Sequence, residues 1–295
     1  MSMFPEPECI WNLKAGLGEG PVWSEADQAL YFVDIVGCRI HRFRPGGGAD
    51  ERTSWVAPAR VTFIVPVEGG GFLCGCEDGL RMFEPETGSF GRLHQVEADL
   101  GENRLNDGYA DGAGRLWFGT MHDPEQEETG ALYRLQGFGD HPMPVLMDHG
   151  YTVSNGPTID PTLKRLYHSD SAKRRIYAFD LDADGGLGPR RTFAQIDHGH
   201  PDGMAVDVEG TLWVALYAGG GIARFRPDGT RDGTIAMPCD NVTKIVFGDD
   251  DRRTAYVTTA RRGVAEDVLA AQPLAGGLFR FRVEVPGLKQ NLFRA

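Results

Sequence analysis

The apolar residues of this chain fall in short alternating segments rather than in helical stripes. Leu30-Tyr31-Phe32, Phe72-Leu73-Cys74, Leu116-Trp117-Phe118, Leu166-Tyr167-His168, Leu212-Trp213-Val214 and Ala255-Tyr256-Val257 each begin 42 to 50 residues after the one before. Each is followed by a turn and a second segment of period two, at residues 40–45, 80–85, 131–135, 176–180, 222–227 and 278–282. Alternation of this kind predicts strands, and Pro-Gly, Asp-Gly and Gly-Gly pairs between them predict tight connections. One stretch, 263–271, has the character of a short helix.

Units of this length with several strands apiece predict a β-propeller, and six units predict an all-β, six-bladed ring spanning residues 1–295 as a single domain. Residues 9–14 precede the first full unit. They are expected to pair with the last one, closing the ring and removing its open edges. A pair of β-sandwiches is the alternative. The even spacing and the lack of a Pro/Ser-rich linker near the middle favour the propeller.

Composition narrows the partners. Forty glycines in 295 residues, about 14%, are roughly twice ordinary usage and suit a turn-rich fold. The 41% hydrophobic and 24% charged residues are globular values, which exclude disorder, collagen and coiled coil. Net charge is −12 with no basic block, so nucleic acid and anionic membranes are excluded as partners, while small molecules and cations remain. No apolar run has the length of a membrane span, and residues 1–8 lack the pattern of a leader. The five cysteines are scattered without zinc-site spacing, and Cys74 and Cys76 read as small core residues. The expectation is a cytoplasmic chain with no obligate protein partner.

Candidate chemistry emerges from position within the repeat. Ten or eleven residues before each aligned segment stand Glu19, Val61 or Thr62, Asn106, Asn155 and Asp202, with Asn241 at a looser offset of 14. These places belong to the strand nearest the axis. Most carry an acid or amide close to a glycine: Gly18-Glu19-Gly20, Asn106-Asp107-Gly108, Ser154-Asn155-Gly156 and Pro201-Asp202-Gly203. A local turn explains any one of them. In a closed ring, however, side chains in one register converge, and converging oxygens attract a hard divalent cation such as Ca²⁺, Mg²⁺ or Mn²⁺, with Zn²⁺ and Fe²⁺ also accepted. Two carboxylates and neutral amides would leave such an ion with residual charge and open positions, as in a catalytic site.

Other features carry less. Asp180, Asp182, Asp184 and Gly185 match the start of an EF-hand loop, but Arg191 stands where its last ligand belongs, so a turn is expected. His198 and His200 are placed in a loop near Asp202, and His122 is equally compatible with pocket and core. No serine elbow, zinc-protease helix, Walker loop or dinucleotide fingerprint is present.

Five motifs in order, Leu17-Gly18-Glu19-Gly20-Pro21, Arg104-Leu105-Asn106-Asp107-Gly108, Gly119-Thr120-Met121, Ser154-Asn155-Gly156 and Pro201-Asp202-Gly203-Met204, resemble the gluconolactonase/regucalcin (senescence marker protein) family, and most closely its bacterial sugar lactonases. The resemblance covers roughly residues 9–285. It implies a six-bladed propeller that hydrolyses an aldonolactone (gluconolactone, xylonolactone or arabinolactone type) with one divalent metal ion, Ca²⁺, Zn²⁺, Mn²⁺, Mg²⁺ or Fe²⁺. It implies metal ligands at Glu19, Asn155 and Asp202, substrate contacts at Arg104 and Asn106, and Asp202 as the catalytic acid/base. An acidic substrate contact after Met121 falls on Asp123 or Glu125. The alternative is a non-catalytic calcium-binding propeller, a regulator or an interaction platform.

Overall fold

The computed structural model describes residues 6–48, 51–139 and 141–295; the first five residues, where the leader pattern was sought, lie outside these. It is a six-bladed β-propeller. The blades begin with inner strands Gly18–Ser24, Val61–Pro66, Asn103–Ala110, Ser154–Asp160, His200–Val206 and Val242–Gly248, and each inner strand packs against the next around the axis. Within each blade the strands run antiparallel outward in chain order. The sixth blade departs from this at its edge, where the amino-terminal strand Glu8–Trp11 pairs with Leu278–Arg282.

Burial follows distance from the axis. Every residue of the second strands Ala29–Asp34, Phe72–Cys76 and Leu116–His122 is buried, because sheets of neighbouring blades cover both faces. An outermost strand such as Arg52–Val56 alternates between exposed and half-buried positions. The repeated aromatic pairs therefore fill the spaces between blades, with Tyr31, Trp117, Phe118, Tyr167 and Tyr256 among the fully buried side chains. Cys74 and Cys76 are buried in the same layer. Polar handles on these aromatics are satisfied by turn aspartates: Trp117 Nε1 donates to Asp111 and Trp213 Nε1 to Asp207, both at 2.8 Å.

The two ends of the ring differ. At one, the chain beyond residue 286 crosses the inner strands: Leu288 N bonds Val206 O, Asn291 Nδ2 bonds Ala110 O, and Phe293 N bonds Pro66 O. Phe293 is fully buried there. At the other end the inner strands begin, and a cavity opens. Among the described residues there is one helix, Glu266–Ala271, in the connection between strands Thr254–Thr259 and Leu278–Arg282 of the sixth blade. No helix among the described residues is long and apolar enough to cross a membrane.

Candidate active site

Every inner strand carries one extra residue relative to its partner. The register slips between Glu19 and Val22, Val61 and Phe63, Leu105 and Gly108, Asn155 and Thr158, Pro201 and Met204, and Val242 and Lys244. Bulges re-aim side chains and bend the strand. The acid-glycine and amide-glycine pairs of the sequence are these bulges, not chain-reversing turns. Gly156 shows why glycine is needed: its φ is +55°, and a Cβ would come within 3.0 Å of Asp202 O in the next blade. In the sixth blade the bulge falls at Thr243. Asn241 lies outside it, accepting from Ala218 N and donating to Arg262 O.

Upstream contacts fix the entry of these strands. Asp34 accepts from Gly16 N and Leu17 N, just ahead of Glu19, and Asp170 accepts from Thr152 N and Val153 N, just ahead of Asn155. Ser171 Oγ donates to Pro201 O, next to Asp202, at 2.6 Å.

Glu19, Asn155, Asp202, Arg104 and Asn106 all line one cavity of about 520 Å³ at the open end, within the usual range for small-molecule sites. A larger cavity of about 780 Å³, lined by Asp27, Arg42, Arg44 and Glu84 between the first two blades at the opposite end, contains none of them. Arg104 is the most constrained of the five. Its Nε donates to Asp123 at 2.6 Å, its Nη1 to Leu105 O and to Asn106 Oδ1, and its Nη2 faces no hydrogen-bond partner among the described residues. Asn106 Nδ2 in turn donates to Ser154 O and to Asn155 Oδ1, and Asn155 Nδ2 donates to Ser171 Oγ.

Glu19 and Asp202 are both buried and feel one another. Burial first, and then the Asp107 carboxylate, push the Glu19 carboxyl up to about 8. Burial, then Glu19, then Asp107 raise Asp202 well above the ordinary carboxylate range. Burial holds the Arg104 guanidinium below its usual value, with Asp123 opposing. Burial would raise Asp123, but the guanidiniums of Arg60 and Arg104 outweigh it and hold this carboxyl low.

Among the described residues, no three Asp, Glu, His or Cys side chains are grouped to hold a metal. The third donor available beside the two carboxylates is an amide oxygen, Asn155 Oδ1. Two buried carboxylates that resist joint ionisation, next to an oriented amide, fit a hard divalent ion.

The residues left open by the sequence separate clearly. Asp123 is held between Arg104 and Arg60, whereas Glu125 lines the cavity and pairs with Arg262 at 3.4 Å. His200 also lines it, its Nδ1 2.8 Å from Ser171 O, while His198 is exposed. His122 is turned away from the cavity and uses Nδ1 to accept Gln126 N and Glu127 N, which shapes the segment bearing Glu125. The EF-hand-like loop is a turn: its Asp184 and Gly185 carbonyls accept from Arg134, and Asp180 is paired with Arg191. Sequence reasoning missed Lys244, whose ammonium bonds Asp107 beneath the cavity, and Arg262 and Tyr217 at its mouth.

An axial propeller cavity holding two buried carboxylates, amides and a clamped arginine is a polar small-molecule site. Residues 17–261 match the SMP-30/Gluconolactonase/LRE-like region, and the chain belongs to that family. It is 35% identical over 289 residues to a 6-deoxy-6-sulfogluconolactonase of Pseudomonas putida, covering 97% of this chain and 98% of the relative. It is 35% identical over 283 residues to an L-arabinolactonase of Azospirillum brasilense, covering 94% and 92%. Among solved structures, a regucalcin of Agrobacterium tumefaciens described as a calcium-binding protein superposes with a TM-score of 0.91 at 26% identity, covering 99% and 98% of the two chains.

Proposed function

We propose that the protein hydrolyses an aldonolactone of the gluconolactone, xylonolactone or arabinolactone type to the open sugar acid, with one divalent ion held by Glu19, Asn155 and Asp202. The observation that carries this reading is the buried Glu19–Asp202 pair sharing a sugar-sized cavity with the Arg104 guanidinium. When bound, the ion supplies Lewis-acid polarisation of the lactone carbonyl; its identity within the hard and borderline divalent series is open to metal analysis.

The chain's own groups perform the proton chemistry. Asp202 accepts a proton from the water whose oxygen bonds the carbonyl carbon, and it returns that proton to the ring oxygen as the acyl C–O bond breaks. A carboxylate close to a cation is ordinarily a poor base. In the metal-free chain burial and then the Glu19 and Asp107 charges act in the opposite direction on Asp202, raising its proton affinity. Arg104 offers Nη2 to a substrate oxygen, and the bonds at Nε and Nη1 remove the rotational freedom that such a contact would otherwise have to freeze. Asn106 aligns both Arg104 and Asn155, and the second lone pair of its Oδ1 is what it offers to a sugar hydroxyl.

A second reading, ion binding without catalysis, has support from the calcium-binding description of the regucalcin neighbour. The cavity volume favours the enzyme, since an ion alone needs far less room. Acid release from a panel of aldonolactones, followed by pH-stat with and without chelator, decides between them. Chelator-sensitive release supports the lactonase; ion binding without turnover of any lactone supports the second reading.

A further inference from the structure

We infer that Lys244 sets the valence of the cation that the axial site accepts. This rests on the reading of the site as a divalent-ion site. Lys244 sits at the bulge of the sixth inner strand and is 8% exposed; its ammonium is bonded to Asp107, which is 2% exposed on the third. Three of the four acceptor positions of Asp107 are taken: Oδ1 accepts from Lys244 and from Gly108 N, the latter at 2.7 Å, and Oδ2 accepts from Gly156 N at 2.9 Å. Held this way and set behind the cavity lining, it is a fixed charge beneath the cavity.

The lysine reaches this place because the fifth blade makes room. Its stem lies against Gly203, where a Cβ would come within 2.2 Å of Lys244 Cγ. That path runs directly beside Asp202. Glu19 and Asp202 both sense Asp107 and Lys244, with opposite signs. Arg104 and Arg60 together contribute no net charge, since Asp123, shared between them, and Glu77, paired with Arg60, balance the two guanidiniums. The axial cluster thus holds three carboxylates, Glu19, Asp107 and Asp202, and one ammonium. Two negative charges remain, which one divalent ion neutralises. Without Lys244 three remain, and a trivalent ion becomes the matching charge. In a buried site, unbalanced charge is costly enough to control this choice.

The test measures the ratio of Tb³⁺ to Ca²⁺ affinity in the full chain, by terbium luminescence and calcium competition, with folding checked by circular dichroism. Lys244→Met should raise the ratio on the order of tenfold, since each added unit of metal charge feels the lost ammonium at short range. Lys244→Arg should leave it near the wild-type value. Asp107→Asn should lower it, and the Lys244→Met/Asp107→Asn double variant, with two negative charges again, should restore it. Should Lys244→Met not fold, Asp107→Asn still reads the sign. An unchanged ratio in folded Lys244→Met or in Asp107→Asn, or a double variant that keeps the shift, overturns the inference alone. A wild-type protein that binds neither ion overturns the site reading and this inference with it.

Discussion

Asn106 Nδ2 donates to Asn155 Oδ1 at 2.8 Å, tying the third blade to the fourth in the cavity wall. The same Asn106 accepts from Arg104 Nη1 at 2.6 Å, so one amide sets both a proposed ligand and a proposed substrate contact. Asn106→Asp replaces the donor with an acceptor that faces Asn155 Oδ1 and Ser154 O. Lost and repelled bonds at a buried site should cost about 1–3 kcal/mol of stability, read from urea unfolding. kcat/KM on the preferred lactone should fall about a hundredfold as Asn155 turns away. An Asn106→Asp enzyme of wild-type efficiency would show that this tie does not organise the site.

Asp202→Asn keeps the shape and one oxygen of the side chain while removing the base. Turnover should drop by about 10²–10⁴, the range associated with a positioned general base. The substitution removes a buried carboxyl whose ionisation Glu19 and Asp107 oppose, so the variant should retain a folded cavity. Steady-state kinetics with metal analysis of the same sample checks both points. Full metal content with near-normal turnover would remove Asp202 from the role of acid/base.

Arg104→Ala should raise KM more than it lowers kcat, because Nη2 is proposed to hold substrate oxygen throughout the reaction. Arg104→Lys should rescue little. An ammonium on a flexible stem cannot satisfy Asp123, Leu105 O and Asn106 Oδ1 together and still reach a substrate. A lysine variant with wild-type KM would mean that positive charge alone suffices.

The ring was legible because each blade repeats its most hydrophobic strand: the Leu-Tyr-Phe and Leu-Trp-Phe segments are second strands covered on both faces, and selection for that burial leaves a regular mark. Counting back from them located Glu19, Asn106, Asn155 and Asp202 because inner strands have nearly constant length. The count failed in the sixth blade. There the bulge holds Thr243, and Asn241 serves the loops around Ala218 and Arg262. The dipeptides Asn-Gly and Asp-Gly look alike at a turn and at a bulge, and only strand pairing distinguishes them. The pairing of Lys244 with Asp107 was invisible for a different reason: the two are 137 residues apart, and a single lysine in an alternating strand gives no sign of where its ammonium reaches. Asp123 and Glu125 could not be ranked without Arg60, which arrives from another blade to occupy the first.

Stability in the metal-free protein should depend on pH through two sets of buried groups. Glu19 is pushed from 4.5 up to about 8, and Asp202 shifts in the same direction. A carboxyl with a raised value in the fold keeps its proton where the unfolded chain has lost one. Its favourable contribution is complete below the ordinary carboxylate range and declines as pH rises from about 4.5 to about 8. Burial lowers His41 from 6.5 to about 4 and His168 to about 3. The unfolded chain binds those protons first, so these two histidines weaken the fold as pH falls below 6.5 toward 4 and 3. Metal-free protein should therefore be most stable at mildly acidic pH and lose stability on both sides. Saturating Ca²⁺ should remove the alkaline decline, because the cation takes the place of the protons on Glu19 and Asp202. It should leave the acid limb in place, because neither histidine lines the cavity. Denaturant unfolding across about pH 3 to 9, in chelator and in Ca²⁺, measures both limbs. A metal-free protein whose stability climbs between pH 6 and 8 would contradict the assignment of raised carboxyls to this cavity.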